Sequence, residues 1–310
     1  MDYQYHHPVL LNESIEGLEI KPDGIYVDLT FGGGGHSREI LKQLTTGKLL
    51  AFDQDQDAKE NAAKITERSF TFIPANFRFL KQYLKLNGND RVDGIFGDFG
   101  ISSHQIDEPE RGFSIRGEGQ LDMRMNKKSA LDASTIVNEY AEKDLQHIFS
   151  MYGEITNARS LAREIVATRA KRRIGTTTDL TEVLNKTAPK FKEFKYYAKV
   201  FQALRIVVND ELKAIEEMLE QSAGVLKTGG RLVLISYHSL EDRLVKNFIS
   251  SGNIQGKIEK DFYGNLIRPL EPVTKKPIIP TEEEQQMNPR SRSAKLRIAE
   301  KKIKNVEQHI

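Results

Sequence analysis

The chain has 310 residues, 38% of them hydrophobic, no cysteine and a net charge of only +2. This length predicts one large domain or two smaller ones with a sizeable core, and the absent cysteines exclude disulfides, thiolate nucleophiles and thiolate metal sites. Since cysteine-free chains suit a reducing compartment, we expect a cytoplasmic protein. Neither a membrane-length apolar run nor the basic and apolar start of a secretory signal is present, so no membrane contact is expected.

Positive charge is concentrated in two stretches of the chain. Residues 159–205 hold twelve Lys or Arg against four Asp or Glu, and residues 275–304 hold nine against four. Clustered positive charge favours a polyanionic partner such as nucleic acid. Solvated helix faces produce the same pattern, so charge alone leaves both interpretations open.

Apolar strands and helical patterns alternate through the first hundred residues. Strands are predicted at 25–29, 48–53, 70–73 and 92–96, and helices at 12–18, 36–44, 56–68 (with Asp55 as its N-cap) and 78–86. This alternation predicts an α/β fold with a doubly wound, Rossmann-like parallel sheet and right-handed crossovers.

The alternation stops after the fourth strand. Residues 101–119 are polar, and residues 128–197 show helical patterns without a strong strand, which predicts an all-helical insertion that holds most of the basic excess. A long helix over 199–223, a strand over 231–236 and a late strand over 293–298 then complete the sheet. Ser239 and Asp242 follow the 231–236 strand with the spacing of a capping box.

A run of four glycines, Gly32–Gly35, follows the first strand and its last acid, Asp28. A helical pattern begins at His36, so the three parts together form a strand, a glycine turn and a helix N-terminus. That arrangement is typical of cofactor cradles, because glycines let a ligand approach the main chain. Asp53 ends the second strand about twenty residues later, where an acid commonly binds a ribose. We therefore predict a nucleoside-containing cofactor at the carboxyl ends of the strands.

The type of cofactor follows from what the glycine run lacks. A dinucleotide fingerprint needs glycine at its sixth position, where this chain has Ser37 or Arg38, and no P-loop Lys-Ser/Thr is present. A nicotinamide dehydrogenase and an ATP-binding enzyme are accordingly disfavoured. An acid at Asp28, before the glycines, suits a positively charged ligand, and S-adenosylmethionine is a sulfonium of this kind.

Nine blocks of the sequence, in order, resemble the bacterial ribosomal RNA small subunit methyltransferase H family. The blocks are residues 7–11, 28–37, 53–55, 93–107, 110–114, 121–125, 152–154, 201–206 and 238–243. The resemblance as a whole covers nearly the entire chain. Two departures are His104, where the family usually has proline, and Tyr196-Tyr197, where it tends to have His-Pro.

The resemblance implies a class I methyltransferase that uses S-adenosylmethionine to methylate cytidine N4 in the decoding region of 16S rRNA. Residues 1–110 with 200–310 would bind the cofactor, and residues 111–199 would recognise the RNA. The implied cofactor contacts are Gly34, Gly35 and His36 around the methionine end, Asp53 at the ribose, Phe77 beside the adenine, and Asp98 and Gln105 completing the site. The partner would be 16S rRNA in the small ribosomal subunit, with the enzyme a monomer or a homodimer.

Asp98, at the end of the fourth strand, is the candidate catalytic residue. Its carboxylate would accept hydrogens of the cytosine amino group and take up the proton. His238, Ser239 and Asp242 follow the fifth strand at the same edge of the sheet and would hold the cytosine or its phosphate. The alternative, that Ser239 and Asp242 only cap a helix, stays open.

Three further interpretations concern arginines, metals and a different class of protein. Arg111, Arg124 and Arg205 suit either RNA phosphates or internal ion pairs. His6, His7 and His36 lack ligand spacing, so no metal is predicted. A nucleic-acid-binding module with an inactive or regulatory cofactor site is the competing function; the intact acids Asp28, Asp53 and Asp98 argue against it.

Overall fold

The structure, a computed structural model, describes residues 8–302. His6 and His7 lie outside the described residues. The strands are β1 Ile25–Asp28, β2 Lys48–Phe52, β3 Phe70–Ile73, β4 Val92–Asp98, β5 Leu226–Ser236, β6 Leu270–Pro272 and β7 Lys295–Lys301. The α-helices are α1 Leu11–Leu18, α2 Gly35–Gln43, α3 Gln56–Ala62, α4 Leu80–Leu86, α5 Ser103–Asp107, α6 Ala133–Glu139, α7 Glu142–Met151, α8 Ala158–Arg169, α9 Thr177–Asn185, α10 Glu193–Asn209, α11 Glu211–Val225, α12 Ser239–Ser251 and α13 Glu282–Met287.

The chain divides into two compact units. The first comprises the residues up to Gly100 and those from Leu212 onward, and the second comprises Ile101–Glu211. The sequence-based limits of the helical insertion were 111 and 199, whereas α10 runs from Glu193 to Asn209 and its residues Phe201 and Leu204 belong to the core of the second unit. A helix cannot be divided between two cores at residue 199, so the second unit continues to the end of α10.

The first unit is built on one seven-stranded sheet within the described residues. Its order is β3-β2-β1-β4-β5-β7-β6. Strands β1 to β5 run parallel, and β7 runs antiparallel to both β5 and β6. The order reverses between β1 and β4, which creates a crevice at the carboxyl ends of these strands. The predicted doubly wound, Rossmann-like sheet is thereby confirmed.

Both faces of this sheet are buried, which explains why its strands read as continuous apolar runs. Adjacent residues enter opposite cores: Leu50 and Ile95 lie in one cluster, and Leu49 and Phe96 lie in the other. Side chains of a strand alternate between faces, so a strand covered by helices on both faces needs apolar residues at every position.

Some element boundaries differ from those predicted. Helix α3 ends at Ala62 rather than near residue 68. The predicted 199–223 helix is two helices, α10 and α11, because Asp210 adopts a left-handed conformation with φ 50° that ends α10. Strand β5 begins at Leu226 instead of 231, and the three-residue β6 was not predicted, because Pro272 ends it and proline disfavours strands.

The second unit contains α5 to α10, and it packs around its own core. Buried side chains from several helices meet there, including Ile136, Phe149, Leu161, Ile165 and Leu204. Its first part, the polar residues 101–119, contains α5 and a 3₁₀ turn at Pro109–Arg111. Across residues 8–302, no helix has the length and apolar content needed to cross a membrane.

Candidate active site

The glycine run forms the turn between β1 and α2. Gly34 is the N-cap of α2 and has φ 79°, a left-handed conformation that favours glycine. A Cβ at Gly34 would lie 2.8 Å from Cζ of Phe31, and one at Gly35 would lie 2.4 Å from Cγ of Pro8. Gly34 therefore needs glycine both for the turn and for packing, whereas Gly35 needs it for packing.

Asp28 supports this turn from inside the protein. Its side chain has no exposed surface; Oδ1 accepts from the Thr30 N–H at 2.9 Å, and Oδ2 accepts from the Ser37 hydroxyl at 2.6 Å. Burial raises the pKa of the Asp28 carboxyl to about 6, against the effect of these hydrogen bonds. The sequence indicated that an acid at this position suits a positively charged ligand; in the structure, both Asp28 carboxylate oxygens stabilise the glycine turn from inside the protein.

Asp53 connects the end of β2 to the same turn. Its Oδ2 accepts from the Gly32 N–H and its Oδ1 from the Asp55 N–H, both at 2.8 Å. The side chain is only half-buried, and burial raises the pKa of its carboxyl to about 6. The Asp53 carboxylate thus holds the loop while part of it remains accessible.

The next strand ends contribute an aromatic pair. Phe77 follows β3, and its ring centroid lies 5.8 Å from that of Phe99, which follows β4. The preceding residue, Asn76, donates to the side chain of Gln54 at 3.0 Å and so links the ends of β2 and β3. Phe77 is half-buried, which leaves an apolar ring at the edge of the sheet.

Asp98 is the last residue of β4 and is held by two hydroxyl groups. Its N–H donates to Oγ1 of Thr30 at 2.6 Å, and its Oδ1 accepts from the phenol of Tyr237 at 2.8 Å. Burial and the nearby charges of Asp28 and Glu241 raise the pKa of Asp98 to about 7, although the Tyr237 hydrogen bond opposes them. The pKa of Tyr237 lies well above its usual value because of burial and the Asp98 charge, so its phenol remains a donor.

Sequence reasoning missed Thr30 and Tyr237. Each lies one residue beyond a predicted strand, Thr30 after 25–29 and Tyr237 after 231–236, at the edge where the site was expected. Position was the available signal, since neither residue type marks a site by itself.

The start of α12 differs from the predicted capping box of Ser239 and Asp242. His238 is the N-cap: its Nδ1 accepts from the Glu241 N–H at 3.4 Å, and Glu241 Oε2 accepts from the N–H of Tyr237 at 2.8 Å and of His238 at 3.3 Å. The box therefore begins one residue earlier, because the fully buried Glu241 carboxylate is the group that reaches back over the helix start.

Asp242 contacts the last described strand instead. Its Oδ1 lies 2.7 Å from Nε of Arg297, and its Oδ2 lies 3.3 Å from Nζ of Lys295. Although burial acts in the opposite direction, the Arg297 hydrogen bond and both positive charges hold the pKa of Asp242 below its usual value.

A cavity of about 310 Å³ opens at the end of β5. Tyr237, His238 and Ser239 line it from one side, and Arg292 and Lys295 line it from the basic stretch near β7. The structure thus places two of the three candidate substrate residues at a cavity with positive charge, while Asp242 pairs with the Lys295 that lines it.

His36 and Gln105 were predicted cofactor contacts, and both have structural partners. The His36 ring is buried, with its centroid 4.4 Å from that of Phe96 and Nε2 3.1 Å from the Val9 carbonyl. Gln105 lies in the second unit, where its Oε1 accepts from the Ser102 N–H at 3.0 Å and completes the capping box of α5.

The three candidate phosphate-binding arginines all make internal contacts in the second unit. Arg111 is buried and donates to the carbonyl of Arg124 at 3.0 Å. Arg124 pairs with Asp122 at 2.7 Å, and Arg205 pairs with Glu211 at 2.8 Å. The ion pairs of Arg124 and Arg205 and the carbonyl contact of Arg111 favour internal roles over phosphate binding.

Comparison with known proteins identifies close relatives over nearly the full length. The model of the MraW methylase family matches residues 3–302. A "Ribosomal RNA small subunit methyltransferase H" from Cytophaga hutchinsonii is 60% identical over 297 residues, covering 96% of this chain and 99% of its own. The protein of the same name from Flavobacterium johnsoniae is 55% identical over 299 residues, covering 96% and 98%.

Similarity to solved structures is more distant. An rRNA methylase structure from Streptococcus thermophilus is 13% identical, covers 94% of each chain and has a TM-score of 0.42. This similarity is too low to add to the family match.

Proposed function

The chain belongs to the MraW methylase family and is an S-adenosylmethionine-dependent methyltransferase, and from this premise we propose that it methylates N4 of a cytidine in the decoding region of 16S rRNA. The observation that carries the chemical part of the proposal is the Asp98 carboxyl, held by Tyr237 beside the glycine turn with a pKa near 7. The choice of ribosomal RNA follows from relatives at 55–60% identity, which are named for that activity.

The residues at the strand ends fit S-adenosylmethionine. When bound, this cofactor supplies an electrophilic methyl group on a positively charged sulfonium. Asp28, Asp53 and Asp98 give the crevice a negative potential that suits that charge. We assign the ribose hydroxyls to Asp53 and the adenine to the half-buried ring of Phe77.

The glycine turn would receive the methionine end of the cofactor. Gly34 and Gly35 present main chain without side chains at the N-terminus of α2. Because the His36 ring is occupied by Phe96 and the Val9 carbonyl, we assign any contact at position 36 to its backbone. Gln105 stays a prediction, since its Oε1 serves the cap of α5.

Asp98 would act on the nucleophile. The N4 lone pair of cytosine is delocalised into the ring, and a carboxylate that accepts an amino hydrogen makes the nitrogen more nucleophilic. As the new N–C bond forms, N4 loses one proton, which the carboxylate takes up. Tyr237 fixes the orientation of Asp98 through Oδ1, which serves the alignment that methyl transfer requires, with reacting atoms about 3–3.5 Å apart.

The target nucleotide would enter unstacked, because the amino group must leave the base stack to reach the site. We assign His238 and Ser239 to its cytosine or phosphate, together with Arg292 of the same cavity. Asp242 contributes by holding Lys295 and Arg297 in place. The basic second unit would recognise more of the rRNA within the small ribosomal subunit, in the cytoplasm, with the enzyme as a monomer or a homodimer.

The test is methyl transfer from labelled S-adenosylmethionine to small ribosomal subunits that lack the modification, followed by nucleoside analysis. We expect labelled N4-methylcytidine with the wild type and a loss of at least a hundredfold in Asp98→Asn, which still binds cofactor. Asp93→Asn is the matched control, since Asp93 lies at the other end of β4 and bonds Ile25 and Lys227.

Two outcomes would contradict the proposal in different ways. Cofactor binding without transfer to subunits, free rRNA or assembly intermediates would favour the nucleic-acid-binding module. Transfer that survives Asp98→Asn would keep the activity and place the acceptor elsewhere, with His238 the next candidate.

A further inference from the structure

Two phenylalanines are exposed where α10 of the second unit begins. The side chain of Phe191 is 96% exposed and that of Phe194 is 72% exposed. Phenylalanine is normally buried, so two largely exposed rings three residues apart are unusual and indicate a surface with a function. The Phe194 ring packs against Tyr197 with centroids 6.2 Å apart, which fixes its position without covering it.

Phe191 also has a backbone conformation that is unfavourable for its side chain. Its φ is 65°, in the left-handed region that large residues rarely adopt. One local hydrogen bond stabilises this turn: the Phe191 N–H donates to Oε1 of Glu193 at 3.0 Å. Glycine would satisfy this turn more easily, and a ring that is almost fully exposed contributes little to folding. The ring is better explained by a role at the surface.

Three lysines flank the two phenylalanines in the sequence. Lys190, Lys192 and Lys195 are exposed, and none of them forms an ion pair with another residue in the 8–302 range. Glu193 is the only acid between residues 190 and 195, and it accepts the Phe191 N–H. The segment therefore presents apolar rings and uncompensated positive charge together.

We propose that Phe191, Phe194 and these three lysines form a binding surface for single-stranded RNA, in which unpaired bases stack on the rings and phosphates contact the lysines. The inference rests on the proposed function for the identity of the RNA, and it deepens it by naming residues that bind the substrate away from the reacting base. Stacking requires bases that are not paired, which favours single strands over duplex. The lysines favour RNA over an apolar protein partner.

The test compares two RNA probes of the same sequence. One is a fluorescein-labelled single-stranded fragment of the 16S decoding region, and the other is that fragment annealed to its complement. Phe191→Gly and Phe194→Ala should each weaken binding of the single strand about five- to a hundredfold and leave duplex binding within about twofold. Phe191→Tyr, which keeps an aromatic ring, should retain the affinity.

Folding defects are separable from binding defects here. Phe191→Gly removes the ring and also relieves the left-handed strain, so its melting temperature should equal or exceed that of the wild type. Phe262→Ala is the matched control, because Phe262 is 98% exposed in the first unit but is flanked by Asp261 and Tyr263 rather than by lysines. Its affinity for both probes should be unchanged.

The lysines are tested through salt dependence. Replacing Lys190, Lys192 and Lys195 together by Gln should reduce the slope of log affinity against log salt by about two, since each phosphate contact on a single strand contributes about 0.7.

Several results would overturn the inference. These are undiminished single-strand affinity in the ring variants, an equal loss for duplex, or a change in the mass of the protein in solution without a change in RNA affinity, which would mark a self-association surface. Methyl transfer to small subunits is measured in parallel. If the wild type transfers methyl groups and the ring variants bind single-stranded RNA as tightly as the wild type, this inference alone is contradicted. If RNA binding depends on the rings but the wild type transfers no methyl group, the proposed function alone is contradicted.

Discussion

Asp98 has a carboxyl group whose pKa, about 7, lies close to neutral pH. If its ionised form accepts the proton from cytosine N4, the single-turnover rate should rise with pH through about 7 and then level off. Tyr237→Phe removes a hydrogen bond that lowers this pKa, so the midpoint should move to higher pH and the plateau should fall by less than in Asp98→Asn. The measurement is the single-turnover rate between pH 5.5 and 9. An unchanged midpoint in Tyr237→Phe would show that a different group titrates.

Asp28 and Asp53 lead to a separate prediction about cofactor affinity. Burial raises both pKa values to about 6, and a cationic ligand favours the ionised carboxylates. Affinity for S-adenosylmethionine should therefore rise between pH 5 and 7.5, with net proton release near pH 6. Calorimetry in buffers of different ionisation enthalpy measures both effects. S-adenosylhomocysteine, which lacks the sulfonium charge, should show a smaller rise, and Asp53→Asn should flatten the profile.

The same residues show how far sequence reasoning reaches at this scale. Asp53 and the glycine turn were predicted as site residues because a strand, a turn and a helix form a local pattern that the sequence displays directly. Tyr237 was not, because its role depends on a hydrogen bond to Asp98 across neighbouring strand ends. Asp242 was assigned by its spacing from Ser239, and its actual partners, Arg297 and Lys295, are distant in sequence.

At the scale of the element, the start of α12 provides a direct test of the corrected capping box. Glu241→Ala leaves the partly buried N–H groups of Tyr237 and His238 without their acceptor, which should cost about 1–3 kcal/mol of the free energy of unfolding. Ser239→Ala, at the exposed position that the sequence predicted as the cap, should cost less than about 0.5 kcal/mol. Urea denaturation measures both.

A conservative variant separates hydrogen bonding from charge at this position. Glu241→Gln keeps an oxygen that accepts from Tyr237 and His238, so it should recover most of the stability lost in Glu241→Ala. Equal stability of the Ala and Gln variants would mean that the reach of Glu241 over the helix start does not stabilise α12.

Periodicity predicted the existence of most helices and strands but missed a break between two of them. The apolar pattern of α10 and α11 continues across Asp210, so the sequence indicated one long helix. In the structure, the left-handed residue Asp210 ends α10. Aspartate is a much weaker sequence signal for this conformation than glycine is. Strand β6 was missed for the opposite reason: three residues ending at a proline carry too little pattern.

At the scale of the whole molecule, two separate cores predict local responses to core substitutions. Leu161 is fully buried in the second unit, and Leu50 is 2% exposed in the first. Each Leu→Ala change should cost about 2–5 kcal/mol. Hydrogen exchange should show the loss of protection for Leu161→Ala mainly within residues 101–211 and for Leu50→Ala mainly in the sheet. Equal loss throughout the protein in both variants would indicate one cooperative unit.

The fold class was predictable because the alternation of strand and helix leaves few topologies with right-handed connections. The position of β7 between β5 and β6 was not, because an antiparallel strand near the end of the chain pairs through backbone groups that its sequence does not specify.

Neighbouring strands of the sheet are synthesised at different times. Strand β4 is complete at Asp98, but its neighbour β5 is complete only at Ser236, after all residues of the helical unit have been synthesised. The helical unit is fully synthesised before β5 and folds through contacts that are closer in sequence. Until β5 is available, β4 has an unpaired edge that can pair with the wrong strand. Nascent chains of this protein are therefore most vulnerable to aggregation between the emergence of β4 and that of β5, and the order of synthesis favours a helical unit that folds while the methyltransferase sheet is still incomplete.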